Sequence, residues 1–275
     1  MNTNIVNLIL VQPLTNGLIF FYKILFSNMG LAIIGFSVFL RLILNPLTKP
    51  YMLSMKKIKE AEPQLKKLKE KYKNDKTGMM KAQADFYKEK GINPGAGCLP
   101  YLLQIVVLIA LFSVFAKVLV PDGKGVNNIN DYLYQPLKFQ SGTELNTRFL
   151  KFWDMTKPDV IHLPGLKFPL PGPIIILAAL LQLASSLMML PVVKIEEKMA
   201  SKTLGKEDDM QASMQKSTTY MFPLMTLIFG MSFSSGLALY WAVFSAFQVW
   251  QQYKTSGWGG LTNTIWKAKA YLKIK

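Results

Sequence analysis

Gly30–Pro50 reads GLAIIGFSVFLRLILNPLTKP, a long apolar run broken by one arginine. Between Leu31 and Leu44 only Gly35, Ser37 and Arg41 are not strongly apolar. At about 1.5 Å per helical residue, such a run covers much of a bilayer's hydrocarbon core. It predicts a first membrane span over 29–48 with one cation inside it. A guanidinium at that depth costs about 2.5–3.5 kcal/mol even on the translocon scale, so Arg41 must face protein, water or a counter-charge. Asn45-Pro46 is expected to end or kink the helix, because proline lacks an amide donor and biases the preceding residue away from helical backbone.

Outside this run the composition agrees with a multi-pass membrane protein. Of 275 residues, 51% are hydrophobic and 17% charged, and the charges fall in blocks between apolar runs. The net charge of +16 points to acidic partners such as anionic lipid headgroups or nucleic acid. With one cysteine, Cys98, and one histidine, His162, the chain offers neither a disulfide framework nor a multi-cysteine metal site, so no cofactor or metal is expected. No HExxH, GxSxG, GxxxxGK[ST] or CxxC motif occurs, and no enzyme activity is expected.

Residues 1–28 begin with an apolar patch. No Lys or Arg precedes Ile5 and no small-residue cleavage site follows, so the expectation is an uncleaved segment. From Pro13 to Phe26, Asn16 and Lys23 share one helical face, while Leu14, Leu18, Phe21 and Leu25 recur at three- and four-residue spacing. That pattern suits an amphipathic helix lying in the interface. After the first span, residues 49–92 form a strongly basic block with apolar residues at Met55, Ile58, Leu65, Leu68 and Tyr72. A turn at 74–78 and a second amphipathic stretch, with Ala82 and Phe86 inward, predict a helical hairpin outside the membrane. It reads equally as a solvated charged face or as a docking surface for anionic lipid, ribosomal RNA or a client polypeptide.

Four further spans follow. Residues 98–120 open at Cys98-Leu99-Pro100 and carry Gln104, which fits either an interhelical hydrogen bond or a cavity lining. A nearly charge-balanced connector, 121–169, has aromatic residues Tyr132, Tyr134, Phe149, Phe152 and Trp153 suited to the outer interface. The third span, 171–193, contains Gln182, Ser185 and Ser186; a loop over 194–216 with equal acids and bases leads to spans at 217–233 and 237–254. The tight Ser234-Ser235-Gly236 turn makes these last two antiparallel neighbours. The tail, 255–275, is basic with Trp258 and Trp266 and suits a membrane surface. The excess of lysine in 49–92 over the connector places that block in the cytoplasm, the N-terminus outside and the C-terminus inside.

No Asp or Glu occurs in any of the five spans. Ion-coupled pumps and transporters usually place carboxylates there, whereas here Arg41 must be kept charged by a hydrated cavity open toward the cytoplasm. Ser37, four residues earlier on the same helical face, would line that cavity.

Three separated motifs then carry a family resemblance: the span arginine followed by NPLTK, the GINPGAGCLP turn, and GLALYWAVFSAFQVWQQ. In order and spacing, residues 13–254 resemble the YidC-type membrane protein insertases of bacteria and their mitochondrial and chloroplast relatives. The resemblance implies an all-α membrane protein whose five spans enclose a positively charged, cytoplasm-open groove in a bacterial plasma membrane. It implies that Arg41, Ser37, Gln104 and Gln182 belong to that groove and that Tyr240 and Trp241 meet the client helix. The implied partners are nascent membrane proteins, the ribosome, anionic lipids and a Sec-type translocon, with the chain working as a monomer. Ser245 stands where many members carry asparagine. A small-solute channel or transporter, or a membrane assembly factor with Arg41 snorkelling to the interface, are the alternative readings.

Overall fold

A computed structural model describes residues 5, 7–72, 75–92, 99–120, 125–140, 142–189 and 208–262. The turn at Asn93–Cys98, most of the loop over 194–216 and the tail beyond residue 262 lie outside the described residues. The protein is mostly helical: α1 is Gln12–Ile24, α2 Met29–Lys71, α3 Lys76–Glu89, α4 Leu99–Val118, α5 Gly125–Ile129, α6 Pro173–Met189, α7 Asp208–Gly230 and α8 Ser235–Ser256. A π-helical turn, Asn7–Val11, precedes α1. Two small antiparallel pairs lie before α6: β1 (Arg148–Phe149) with β2 (Trp153–Asp154), and β3 (Val160–Ile161) with β4 (Leu170–Pro171).

The chain divides into two compact units. One comprises residues 1–43, 104–183 and 218–248. Its core is an apolar cluster that includes Leu18, Ile33, Leu111, Met155, Ile175 and Leu237. α1 packs on the start of α2 through reciprocal glycine contacts. A side chain at Gly17 would collide with the Phe36 ring, and one at Gly35 with Phe21 and Leu25. Between the two helices the backbone turns through left-handed geometry at Phe26 and Ser27, and Asn28 caps α2 by accepting from the Leu31 N–H at 3.1 Å.

The expected polar face of α1 needs correction. Asn16 is buried, not solvated: its amide donates to the Tyr132 carbonyl and its carbonyl oxygen accepts from the Tyr134 N–H. Such a buried side chain is stable only because both its ends are bonded. Tyr22 makes a second tie, its hydroxyl accepting from the Asn146 N–H at 2.8 Å, and burial pushes its phenol pKa up against that bond. The connector is thereby folded onto α1. Leu133, Leu145 and Met155 enter the core, and Phe149 lies over Gly30, so only some of the expected interfacial aromatics, Tyr134 and Phe152 among them, stay exposed.

The other unit comprises residues 44–103, 184–217 and 249–275. Of the end or kink expected at Asn45-Pro46, the end does not occur: α2 passes through Pro46, Pro50 and Pro63 to Lys71. A proline inside a helix costs about 3 kcal/mol through its missing bond and ring clash. Beside the first proline, Gln251 donates to Asn45 Oδ1 at 2.6 Å and to Thr48 Oγ1 at 3.1 Å, tying this part of α2 to α8. Leu65 is buried, Ile58, Leu68, Ala82 and Phe86 are half-buried, and Asp75 caps α3 by accepting from the Gly78 N–H at 2.8 Å.

Among the described residues one helical window, Met29–Thr48, is long and apolar enough to cross a membrane. Gln104–Val118, Pro173–Met188 and Thr219–Gly230 are shorter apolar helices. Their outward faces are apolar too: Ile105, Ile109 and Phe112 on α4, Leu177 and Leu180 on α6, and Ile228 on α7 are exposed. Apolar surface on that scale marks an interaction with lipid or protein.

Candidate functional site

Arg41 lies in the first unit, in the N-terminal third of α2, and is only 8% exposed. α8 meets it with one helical stripe, Tyr240, Phe244 and Phe247, whose spacing of four and three residues puts all three on one face. The guanidinium carbon sits 3.3 Å from the centre of the Phe244 ring and 5.9 Å from that of Phe247. One Nη donates to the Phe244 carbonyl at 3.3 Å. Nε is buried without a hydrogen-bond partner.

These contacts stabilise the cation without neutralising it. Among the described residues the ion pairs are Lys56–Glu60 and Lys157–Asp154, and no carboxylate is paired with Arg41. A desolvated stack of this kind contributes on the order of 2 kcal/mol. A guanidinium has five donors in a planar fork, so most of its capacity for a carboxylate or a carbonyl is unspent.

The remaining sequence candidates fall into separate environments. Tyr240 is buried, its ring centre 6.0 Å from Phe244 and 6.4 Å from Phe115, and its hydroxyl accepts from the Gln104 amide at 3.5 Å. Gln104, Tyr240, Phe244 and Arg41 thus form a continuous chain of contacts across α4, α8 and α2. Trp241 is half-buried against the core. Ser37 is buried, and its hydroxyl donates to the Ile33 carbonyl one turn back on its own helix. Gln182 accepts from the Thr226 hydroxyl, a bond that ties α6 to α7.

Phe244 and Phe247 join the site as residues not expected from the sequence: their spacing with Tyr240 marks one stripe of α8 but not the helix that stripe faces. The NPLTK and QQ motifs lie too far apart in sequence to suggest a joint role. In the second unit they meet: Gln251 bonds Asn45 and Thr48, and the neighbouring Gln252 accepts from Ser185 at 3.1 Å. Both glutamines are buried. Buried amides in such positions fix helix register.

Known proteins with similar sequences bear on this site. The family model described as 60Kd inner membrane protein matches residues 20–258. A relative named membrane protein insertase YidC in Pelodictyon phaeoclathratiforme is 33% identical over 228 residues, covering 82% of this chain and 33% of its own length. One of the same name in Chlorobium luteolum is 34% identical over 228 residues, with the same coverage. Another in Pelobacter propionicus is 32% identical over 251 residues, 89% of this chain and 38% of that protein. The chain spans about a third of the length of the curated relatives it matches.

Proposed function

This chain belongs to the YidC-type family described as 60Kd inner membrane protein, and on that premise we propose that it is a membrane protein insertase. In this reading it passes the hydrophilic ends of nascent membrane proteins toward Arg41 and releases their helices into lipid. Five spans, at 29–48, 98–120, 171–193, 217–233 and 237–254, surround a groove open to the cytoplasm, with the N-terminus outside. The basic hairpin receives clients from the ribosome near anionic headgroups, alone or beside a Sec-type translocon.

The observation that carries the reading is the buried guanidinium held by aromatic rings, with no carboxylate paired to it among the described residues. A client's short polar or acidic segment supplies the missing acceptors. Each polar group so engaged escapes a cost of several kcal/mol in bare hydrocarbon. To reach the guanidinium the segment displaces the Phe244 ring, and the client's apolar helix moves along Tyr240 and Trp241. Gln104 holds the Tyr240 hydroxyl in place, while Ser37 and Gln182 support the packing of the groove walls. Hydrophobic transfer and the membrane potential complete the step, so neither nucleotide nor covalent chemistry enters.

Reconstituted insertion into proteoliposomes tests this. Arg41→Ala is expected to slow insertion of acidic-tailed clients by roughly tenfold, equivalent to about 1.4 kcal/mol, and Arg41→Lys to retain most of the rate. Normal insertion of those clients by Arg41→Ala would falsify the electrostatic step.

A further inference from the structure

The connector ends in a hairpin that the insertase reading leaves without a task. β3 and β4 pair Val160 with Pro171 and Ile161 with Leu170, and the eight residues between them, 162–169, form its tip. The base is fastened to α6. The Gly172 N–H donates to the Asp159 carbonyl at 2.7 Å, and the buried Asp159 carboxylate accepts from the Ile175 N–H at 2.8 Å, inside the first turn of α6. The hairpin is therefore held at one fixed end of that helix.

Its tip has the wrong surface for water. Every residue from 161 to 168 is exposed, including Ile161, Leu163, Leu166 and Phe168, the last at 64%. Gly165, with φ of 90°, makes the turn that sets Leu163 and Leu166 on either side of it. The charged and titratable side chains of the tip are Lys167 and His162, and the acid that precedes it in sequence, Asp159, is turned into the α6 terminus. The apolar surface continues from the tip onto α6, where Ile176, Leu177 and Leu180 are exposed within the first two turns. Bulky apolar side chains beside a lysine, next to the end of a lipid-facing helix, are the composition of an interfacial anchor.

We propose that the 161–168 tip inserts into the headgroup boundary of the bilayer leaflet at the N-terminal end of α6, with Lys167 at the lipid phosphates. This places the outer connector on the membrane as a third fastening, beside its ties to α1 and α6. The proposal rests on the membrane placement of α6 and not on the insertase activity.

Nitroxide labels on the full chain in liposomes containing anionic lipid test it, in a Cys98→Ser background. Phe168→Cys and Leu163→Cys are labelled at the tip, Glu144→Cys in the connector away from it, and Leu180→Cys on α6. Tip labels are expected to be more accessible to oxygen than to a water-soluble nickel chelate, as Leu180 is, with the order reversed at Glu144. Tip labels as open to the chelate as Glu144, with Leu180 shielded, would overturn the anchor alone; chelate access at Leu180 as well would overturn the membrane placement beneath it. Spin–spin broadening at the tip would assign the surface to a second copy of the chain, and shielding only when a client is present would assign it to the client. Either of those results also overturns the anchor.

Discussion

A guanidinium surrounded by hydrocarbon has few ways to stay charged, and Arg41 uses two of them: the face of Phe244 and that residue's carbonyl. The ring and the carbonyl belong to one residue, so they differ in what a substitution removes. Phe244→Leu keeps the carbonyl but loses the stack, and is expected to lower stability by about 1–2 kcal/mol, read as a fall in the unfolding midpoint in detergent. Phe244→Tyr should leave the midpoint near its original value. Arg41 itself stood out in the sequence because it is the one charge in an apolar run, whether it serves a site or snorkels to the interface. Phe244 did not, because a single span does not reveal which of its stripes faces another helix.

At the scale of elements, end contacts decide where helices begin and stop. Asp159 caps α6 from sixteen residues upstream by satisfying the Ile175 N–H, which has no partner within its own helix. Asp159→Ala is expected to cost roughly 1–2 kcal/mol and to increase hydrogen exchange in the first turn of α6, whereas Asp159→Asn keeps an acceptor and most of the stability. The apolar runs at 29–48 and 98–120 were readable from hydropathy, and helices occupy both, α2 from Met29 and α4 over Leu99–Val118. The passage of α2 through Pro46 was not readable, since the bonds from Gln251 to Asn45 and Thr48 join positions about two hundred residues apart. The folding of the connector onto Asn16 and Tyr22 was hidden for the same reason: the Tyr134 and Asn146 N–H groups that bond these two side chains lie more than a hundred residues along the chain.

For the molecule as a whole, the distribution of exposed apolar surface defines the solvent it needs. Ile109 on α4 and Leu180 on α6 are exposed at 59% and 58%. In an aqueous protein, lysine at such places would be nearly neutral. In a bilayer each costs about 2.5–3.5 kcal/mol near mid-depth, so Ile109→Lys is expected to reduce the fraction resistant to alkaline extraction from membranes. Composition made the membrane class legible, as charges sorted into blocks have few other causes, but it said nothing of which side chains enclose Arg41.

The central claim is that Arg41 receives the polar end of a client. The most direct measurement places a photo-crosslinker at Ser37, one helical turn from Arg41, and follows adducts to a ribosome-stalled client with an acidic N-terminal tail. The account predicts adducts to that tail in the parent chain, weakened when the tail is made neutral and weakened again by Arg41→Ala. Tail adducts of equal yield in all three cases, or adducts to lipid alone, would contradict it.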